Sequence, residues 1–276
     1  MAAAAVSQKP CDNSREFRQI RVSRRTGLDN TSLSAKDQAM PQSTDKIEVY
    51  LEIGLKRTFA CASDWPGWSR GGRDEPSALR ALCDYGARYA NVLRPAQLGF
   101  EAPADPSAFS VVERLKGGAT TDFGAPGEAP ASDARPVDET DLRRFQALLE
   151  ACWGAFDIAV QAGRGRELRK GPRGGGRELD AILEHVLGAD ASYLLQLGWK
   201  LEKGEELGLP LRSRQGPGGE LVGIRRSILE GLAASARGEI PSQGPRGSLR
   251  WTPRYFVRRS AWHVLDHAWE IEDRIL

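Results

Sequence analysis

Apolar and polar positions follow three regimes along the chain. Up to about residue 45, Ser, Arg, Asp, Asn and Gln dominate without a sustained apolar period, the pattern of a disordered tail. From Lys46 a period of two sets in. Ile47, Val49, Leu51 and Ile53 alternate with Glu48, Tyr50 and Glu52, which predicts a half-buried strand. After Gly54, residues 57–62 predict a partner strand with Phe59 and Cys61 on one face. Trp65-Pro66-Gly67-Trp68 predicts a turn, since Pro presets φ and Gly accepts a positive φ. Asp74 stands where it would cap a helix running to about Leu93, with Leu79, Leu82, Tyr89 and Leu93 on its inner face. Phe109, Val111 and Leu115 predict one more strand. The expected order over residues 46–116 is β-β-α-β, a small α+β layer.

Residues 117–138 are rich in Gly, Ala, Pro and Asp and predict a linker. Beyond them the period becomes helical. Helices are expected near 139–162, 177–203, 220–237 and 252–275. The first carries Leu142, Phe145, Leu149, Cys152 and Phe156 at helical spacing. The last opens with Thr252 as cap and Pro253 at the first helical position. Four helices in residues 139–276 suit a bundle. The fold class expected is α+β in two domains: a small β-β-α-β module followed by an up-and-down four-helix bundle.

Composition narrows the classes. Apolar residues make up 40% of the 276 positions and charged residues 28%, enough for real cores. A formal net charge of +2 points away from an obligate nucleic-acid or membrane-surface role. No apolar run approaches the ~20 residues that span a bilayer. The apolar stretch at Met1–Val6 is too short for a secretory signal. Cys11, Cys61, Cys83 and Cys152 form no Cys-x-x-Cys pair, so neither a disulfide framework nor a cysteine zinc knuckle is expected. A reduced, cytoplasmic protein is the expectation. Met40 sits just before the first patterned segment, and translation is expected to begin there, with the preceding stretch a mis-called extension.

The candidate chemistry lies in the histidines. The chain has three, His185, His263 and His267. His263 and His267 are four apart, which on a helix places them one above the other on the same face. His185 falls amid apolar residues of the second predicted helix, where an unpaired imidazole is costly to bury. Side-by-side packing of the second and fourth helices brings all three together. Three neutral imidazoles with an open fourth position are the donor set of a catalytic zinc site, and imidazole also suits nickel and iron. The alternatives are core or surface histidines and a metal-free acid–base use. Asp266 and Glu270 each follow a histidine by three residues. They are candidates to accept the outer imidazole N–H, against the alternative of a solvated helix face.

The segment Arg258-Arg259-Ser260-Ala261-Trp262-His263-Val264-Leu265-Asp266-His267-Ala268-Trp269-Glu270 resembles the last helix of DinB/YfiT-like proteins, and Ile182-Leu183-Glu184-His185-Val186-Leu187 resembles their second. The resemblance covers about the last 140 residues. It implies a four-helix bundle with a three-histidine divalent-metal site whose ligands here are His185, His263 and His267. It also implies an activity of the transferase or isomerase type that uses a low-molecular-weight thiol. The Ile47–Ile53 strand, the Pro66-Gly67 turn and the following helix bear a short resemblance to HicB-like antitoxin domains, which bind a protein partner. A small sheet can equally serve as a lid or a dimerisation module.

Other features carry weaker signals. Arg169, Lys170, Arg173 and Arg177 lie in a glycine-rich lead into the second helix, where cations and exposed N–H groups form a candidate anion clamp. The alternative is a solvated basic connection. Cys152 is either a nucleophile or core packing, and packing is the default for a cysteine in an apolar helix. Trp262 and Trp269 flank the histidine pair and either wall a pocket or fill the core. The leading function is a metal-dependent, thiol-dependent S-transferase acting on a small molecule. The alternatives are a hydrolase using metal-activated water and a non-catalytic partner-binding protein. A homodimer is left open; no membrane or nucleic-acid partner is expected.

Overall fold

The alternation at residues 47–53 forms the centre of a sheet. In the computed structural model, residues 46–170, 176–201 and 217–276 are described. The expectations for residues 1–45 lie outside them. Strands β1 (Ile47–Ile53), β2 (Thr58–Ala62) and β3 (Ser69–Gly72) pair antiparallel in turn. Helices α1 (Glu75–Asp84) and α2 (Gly86–Leu93) then carry the chain across to β4 (Phe109–Lys116). β4 lies parallel to β1, so the four-stranded sheet runs β3-β2-β1-β4. A parallel neighbour requires such a crossover.

Three local expectations change. β3 lies in a stretch for which the sequence predicts no element; Ser69-Arg70-Gly71-Gly72 has no apolar alternation, and it forms the sheet edge by backbone pairing to Thr58–Cys61. The single helix from Asp74 to Leu93 is two. Asp74 caps α1 through the Ser77 amide at 2.9 Å, and the chain bends at Tyr85. β1 is not half-buried. Val49 and Leu51 pack into the main core on one face, while Tyr50 joins Phe59, Cys61 and Trp262 on the other.

The segment expected to be a linker is fastened down. It contains a short helix, α3 (Ala119–Phe123), and a 3-10 turn at Ala131–Ala134. Glu52, on the same face of β1 as Tyr50, is 0% exposed. Its carboxylate accepts from the amides of Gly127 (3.0 and 2.9 Å) and Glu128 (3.0 Å) and from the Thr121 hydroxyl. Burying a carboxylate is tolerable only with such donors. Backbone amides supply them, and those are invisible in composition.

Four long helices complete the fold: α4 (Glu139–Gly163), α5 (Leu179–Leu197), α6 (Pro217–Ala236) and α7 (Pro253–Arg274). The α+β, two-part architecture expected from the sequence is therefore present, with Asp45–Leu276 as one compact unit. α5 stops at Gly198, whose φ of 96° places its amide on the Leu194 and Leu195 carbonyls, a C-cap that cuts short the helix expected to reach residue 203. The up-and-down order expected for the four helices is not what forms: they run up, down, down, up. α7 runs parallel to α4: Arg254 pairs with Asp141 at one end, and Gly163 meets Ile271 at the other. α5 runs antiparallel to α7, with His185 beside His267 and Gln196 accepting from the Trp251 amide. α6 follows the direction of α5, since Asp190 faces Arg225 and Trp199 meets Gly231.

α7 is the axis of the molecule. Every residue from Tyr255 to Leu265 is buried. It packs on α4 and α5, and it touches the sheet through Trp262 against Phe59. Arg258 locks α7 to the sheet and to the supposed linker. Its guanidinium grips Asp133 through Nε (2.9 Å) and Nη2 (2.7 Å) and donates to the Ala62 and Ser63 carbonyls (2.8 and 2.9 Å). Removing one partner of a buried pair strands the other charge. Asp133→Ala is expected to cost about 3–5 kcal/mol in urea unfolding. A loss under about 1 kcal/mol would contradict this role.

Asp190 on α5 is 1% exposed, and among the described residues its Oδ1 has no hydrogen-bond partner. Burial pushes its carboxyl up to about 7, against the pull of Arg225. An unfolded aspartate titrates near ~3.9. Below about pH 4 both states hold the proton and ionisation takes nothing from stability. Between there and pH 7 the unfolded chain releases its proton first, so stability falls, by an amount on the order of 4 kcal/mol, and levels off above 7. Asp190→Asn is expected to be more stable than wild type at pH 8, with the gap closing toward pH 4. A gap independent of pH in denaturant titrations would refute this.

Candidate metal centre

α5 and α7 bring the three histidines to one place. His263 and His267 project from the same stripe of α7, and His185 faces them from α5. Ring centroids are 4.7 Å apart for His263 and His267, 5.0 Å for His185 and His263, and 4.9 Å for His185 and His267. One ring nitrogen of each lies within 4.8 Å of the others. His185 Nε2 and His263 Nε2 are 3.2 Å apart. A tetrahedral ion with bonds of about 2.0–2.1 Å to nitrogen sets neighbouring donors ~3.3 Å apart, so this edge is already near ligand spacing.

Electrostatics keeps two of the rings neutral. His263 is 7% exposed, and burial drives its pKa well below the ordinary value, aided by His267, His185, Arg259 and Arg177. His185 is lowered mainly by burial and then by His267 and Arg177, with Glu270 opposing. Neutral imidazole is the form that binds a metal. His267 Nδ1 meets Glu270 Oε2 at 2.8 Å, and Arg274 Nη1 donates to Glu270 Oε1 at 2.6 Å. The Glu270 carboxyl is held below its usual range first by that bond to His267. The Glu270 contact leaves His267 Nε2 as the nitrogen for an ion, with its ring angle set by the carboxylate. The donor set, the spacing and this carboxylate fit a divalent ion.

The second carboxylate candidate has a different task. Asp266 Oδ1 accepts from Arg70 Nη1 of β3 at 2.9 Å. Arg70 in turn lies over the rings of Tyr85 (3.7 Å) and Trp269 (4.2 Å). Asp266 thus ties α7 to the sheet edge, and Trp269 packs there too. Trp262 stands nearer the site, 6.3 Å from the His263 ring, but is held against Phe59.

Of the basic segment, Arg169 and Lys170 are exposed, and Arg173 lies outside the described residues. The Arg169 backbone pairs with Arg274, its amide donating to the Arg274 carbonyl at 2.7 Å. Arg177 is exposed yet close enough to depress His185 and His263. Cys152 is 0% exposed, and burial pushes its thiol up, which leaves it packing the α4 core.

Two neighbours of the triad escaped the sequence reading. The Tyr193 ring stands edge-on to His263 at 5.7 Å, and Arg259 Nη2 donates to the Tyr193 hydroxyl at 3.2 Å. Arg259 precedes His263 by four residues, so the spacing that linked the two histidines also marked it.

Comparison of the chain with protein-family models, curated proteins and solved structures finds no match. The functional reading therefore rests on residues and geometry.

Glu270→Gln keeps the size of the side chain but removes the charge that orients His267. It is expected to weaken retention of a divalent ion by about 10–100-fold in chelator competition. Unchanged affinity would show that Glu270 serves only Arg274.

Proposed function

We propose that this chain is a metal-dependent enzyme in which His185, His263 and His267 hold one divalent ion of the zinc, nickel or iron type, used to activate a low-molecular-weight thiol for transfer to an electrophile. The observation that carries the reading is the convergence of three imidazoles from two helices, one edge already at 3.2 Å. Three protein ligands leave a tetrahedral ion an open position, the mark of a catalytic rather than structural site. When bound, the ion would act as a Lewis acid that favours the thiolate at neutral pH.

The chain's own residues supply the rest. Burial keeps His185 and His263 unprotonated and so able to donate their lone pairs. Glu270 fixes the His267 ring, and Arg274 fixes Glu270. That the activated group is a thiol is what a DinB-like likeness of the α5 and α7 segments would imply.

Elemental analysis of purified protein is expected to give about one divalent ion per chain, falling to near zero in His263→Ala. With metal present, small thiols offered together with electrophiles are expected to be consumed in equal amounts. Full metal retention in the variant would contradict the site. Turnover of an electrophile without any thiol would contradict the transferase assignment and leave a hydrolase.

A further inference from the structure

Of the two arginines buried in α7, Arg258 has Asp133 as its counter-ion, and the half-buried Arg254 and Arg274 of the same helix have Asp141 and Glu270. Arg259 is the exception. It is 9% exposed, and among the described residues no carboxylate pairs with it. Its Nη groups donate to neutral oxygens, the Pro126 carbonyl and the Tyr193 hydroxyl. The aromatic faces of Tyr193 and Trp262 lie 5.5 and 5.1 Å from its guanidinium carbon. Neutral acceptors satisfy N–H groups without cancelling charge, and a buried charge without a counter-ion is costly.

The position of this charge matters. Arg259 lies one helical turn before His263, on the stripe that carries both α7 histidines. Tyr193, its hydrogen-bond partner, packs edge-on against the His263 ring. The α5–α7 interface thus holds a donor set for a divalent cation beside a guanidinium that no carboxylate contacts directly among the described residues; buried Glu52 reaches it only through the Pro126–Gly127 peptide. Electrostatics there favours an anionic ligand, and a guanidinium fork matches a carboxylate.

We propose that Arg259, positioned by the Tyr193 hydroxyl and the Pro126 carbonyl, is the docking point for the carboxylate of a small acid whose thiol faces the three imidazoles. The metal half of this statement rests on the function proposed above; the Arg259 half stands on its missing counter-ion. The substrate class is then a short mercapto acid, or a larger thiol with a carboxylate a few bonds from the sulfur. Tyr193 and Pro126 share the guanidinium with that carboxylate and hold it on the histidine side of α7.

The test compares two probes of similar size, 3-mercaptopropionate and its uncharged amide. In cobalt-loaded protein, each is titrated by the thiolate–cobalt absorption band. Wild type is expected to bind the acid about 10–100-fold more tightly than the amide, the scale of a charge-assisted contact. Arg259→Met is expected to erase that preference while keeping cobalt content and amide affinity. Arg259→Lys, which keeps charge but not the planar fork, should fall between. In metal-free protein, 3-mercaptopropionate is expected to raise the unfolding temperature of wild type and not of Arg259→Met. Equal affinities for acid and amide in wild type overturn the proposal without any variant, so a folding defect in Arg259→Met cannot rescue it. An undiminished preference in a folded Arg259→Met overturns it too. Should the protein take up no cobalt, the metal reading fails alone. The metal-free comparison then decides the Arg259 subsite: stabilisation by the acid that depends on Arg259 supports it, and none overturns it.

Discussion

The organising constraint of this molecule is a helix buried on all sides that is not apolar. α7 lies between the sheet and the other long helices, and Tyr255 to Leu265 are out of water without a break. A helix surrounded this way is ordinarily apolar all round. This one carries Arg258, Arg259, Ser260, His263 and His267 among its buried residues. Each charge or ring nitrogen there needs a partner, and finding those partners shapes much of the fold. Arg258 draws in Asp133, and with it the segment between sheet and bundle. Arg254, at the partly buried start of the helix, takes Asp141 of α4 and so sets α4 parallel to α7. His263 and His267 turn toward His185, which fixes the face that α5 presents.

The polar groups left over after this pairing are the informative ones. Among the described residues Arg259 bonds only neutral oxygens, and His263 Nδ1 is buried without a hydrogen-bond partner. Both belong to the same short stretch of α7, beside Tyr193. Buried polar groups normally find partners, and a guanidinium without a directly bonded carboxylate and an unpartnered ring nitrogen beside three converging imidazoles are the physical argument for a ligand site there.

The site was largely legible in the sequence because its signal is local. Two histidines four apart, a third in an apolar helix, and a carboxylate three residues after His267 can all be read without knowing the fold. Arg259 has the same spacing, but an arginine on a helix is ordinarily solvated and carries no signal of a ligand site by itself. Tyr193 was not legible, since it reaches the site only through the packing of α5 on α7. Asp266 shows the opposite failure: its spacing matched that of Glu270, but Arg70 on β3 claims it, and a strand without apolar alternation gives no warning of such a partner. The same holds for residues 117–138. Their glycines and prolines look like a free tether, whereas a buried glutamate on β1 holds their backbone amides and α7 grips them through Arg258 on Asp133 and Arg259 on the Pro126 carbonyl. The helical order was read from length and period. The shared direction of α5 and α6 was not, because direction depends on the connection between them.

The central claim is that His185, His263 and His267 bind one ion together. X-ray absorption spectroscopy of the metal-loaded protein tests it most directly. The account predicts three imidazole nitrogens at about 2.0–2.1 Å from a single ion, with the multiple-scattering features of histidine rings lost in a His185→Ala, His263→Ala double variant. An ion bound with no imidazole in its shell, or a spectrum unchanged by that double substitution, would contradict it.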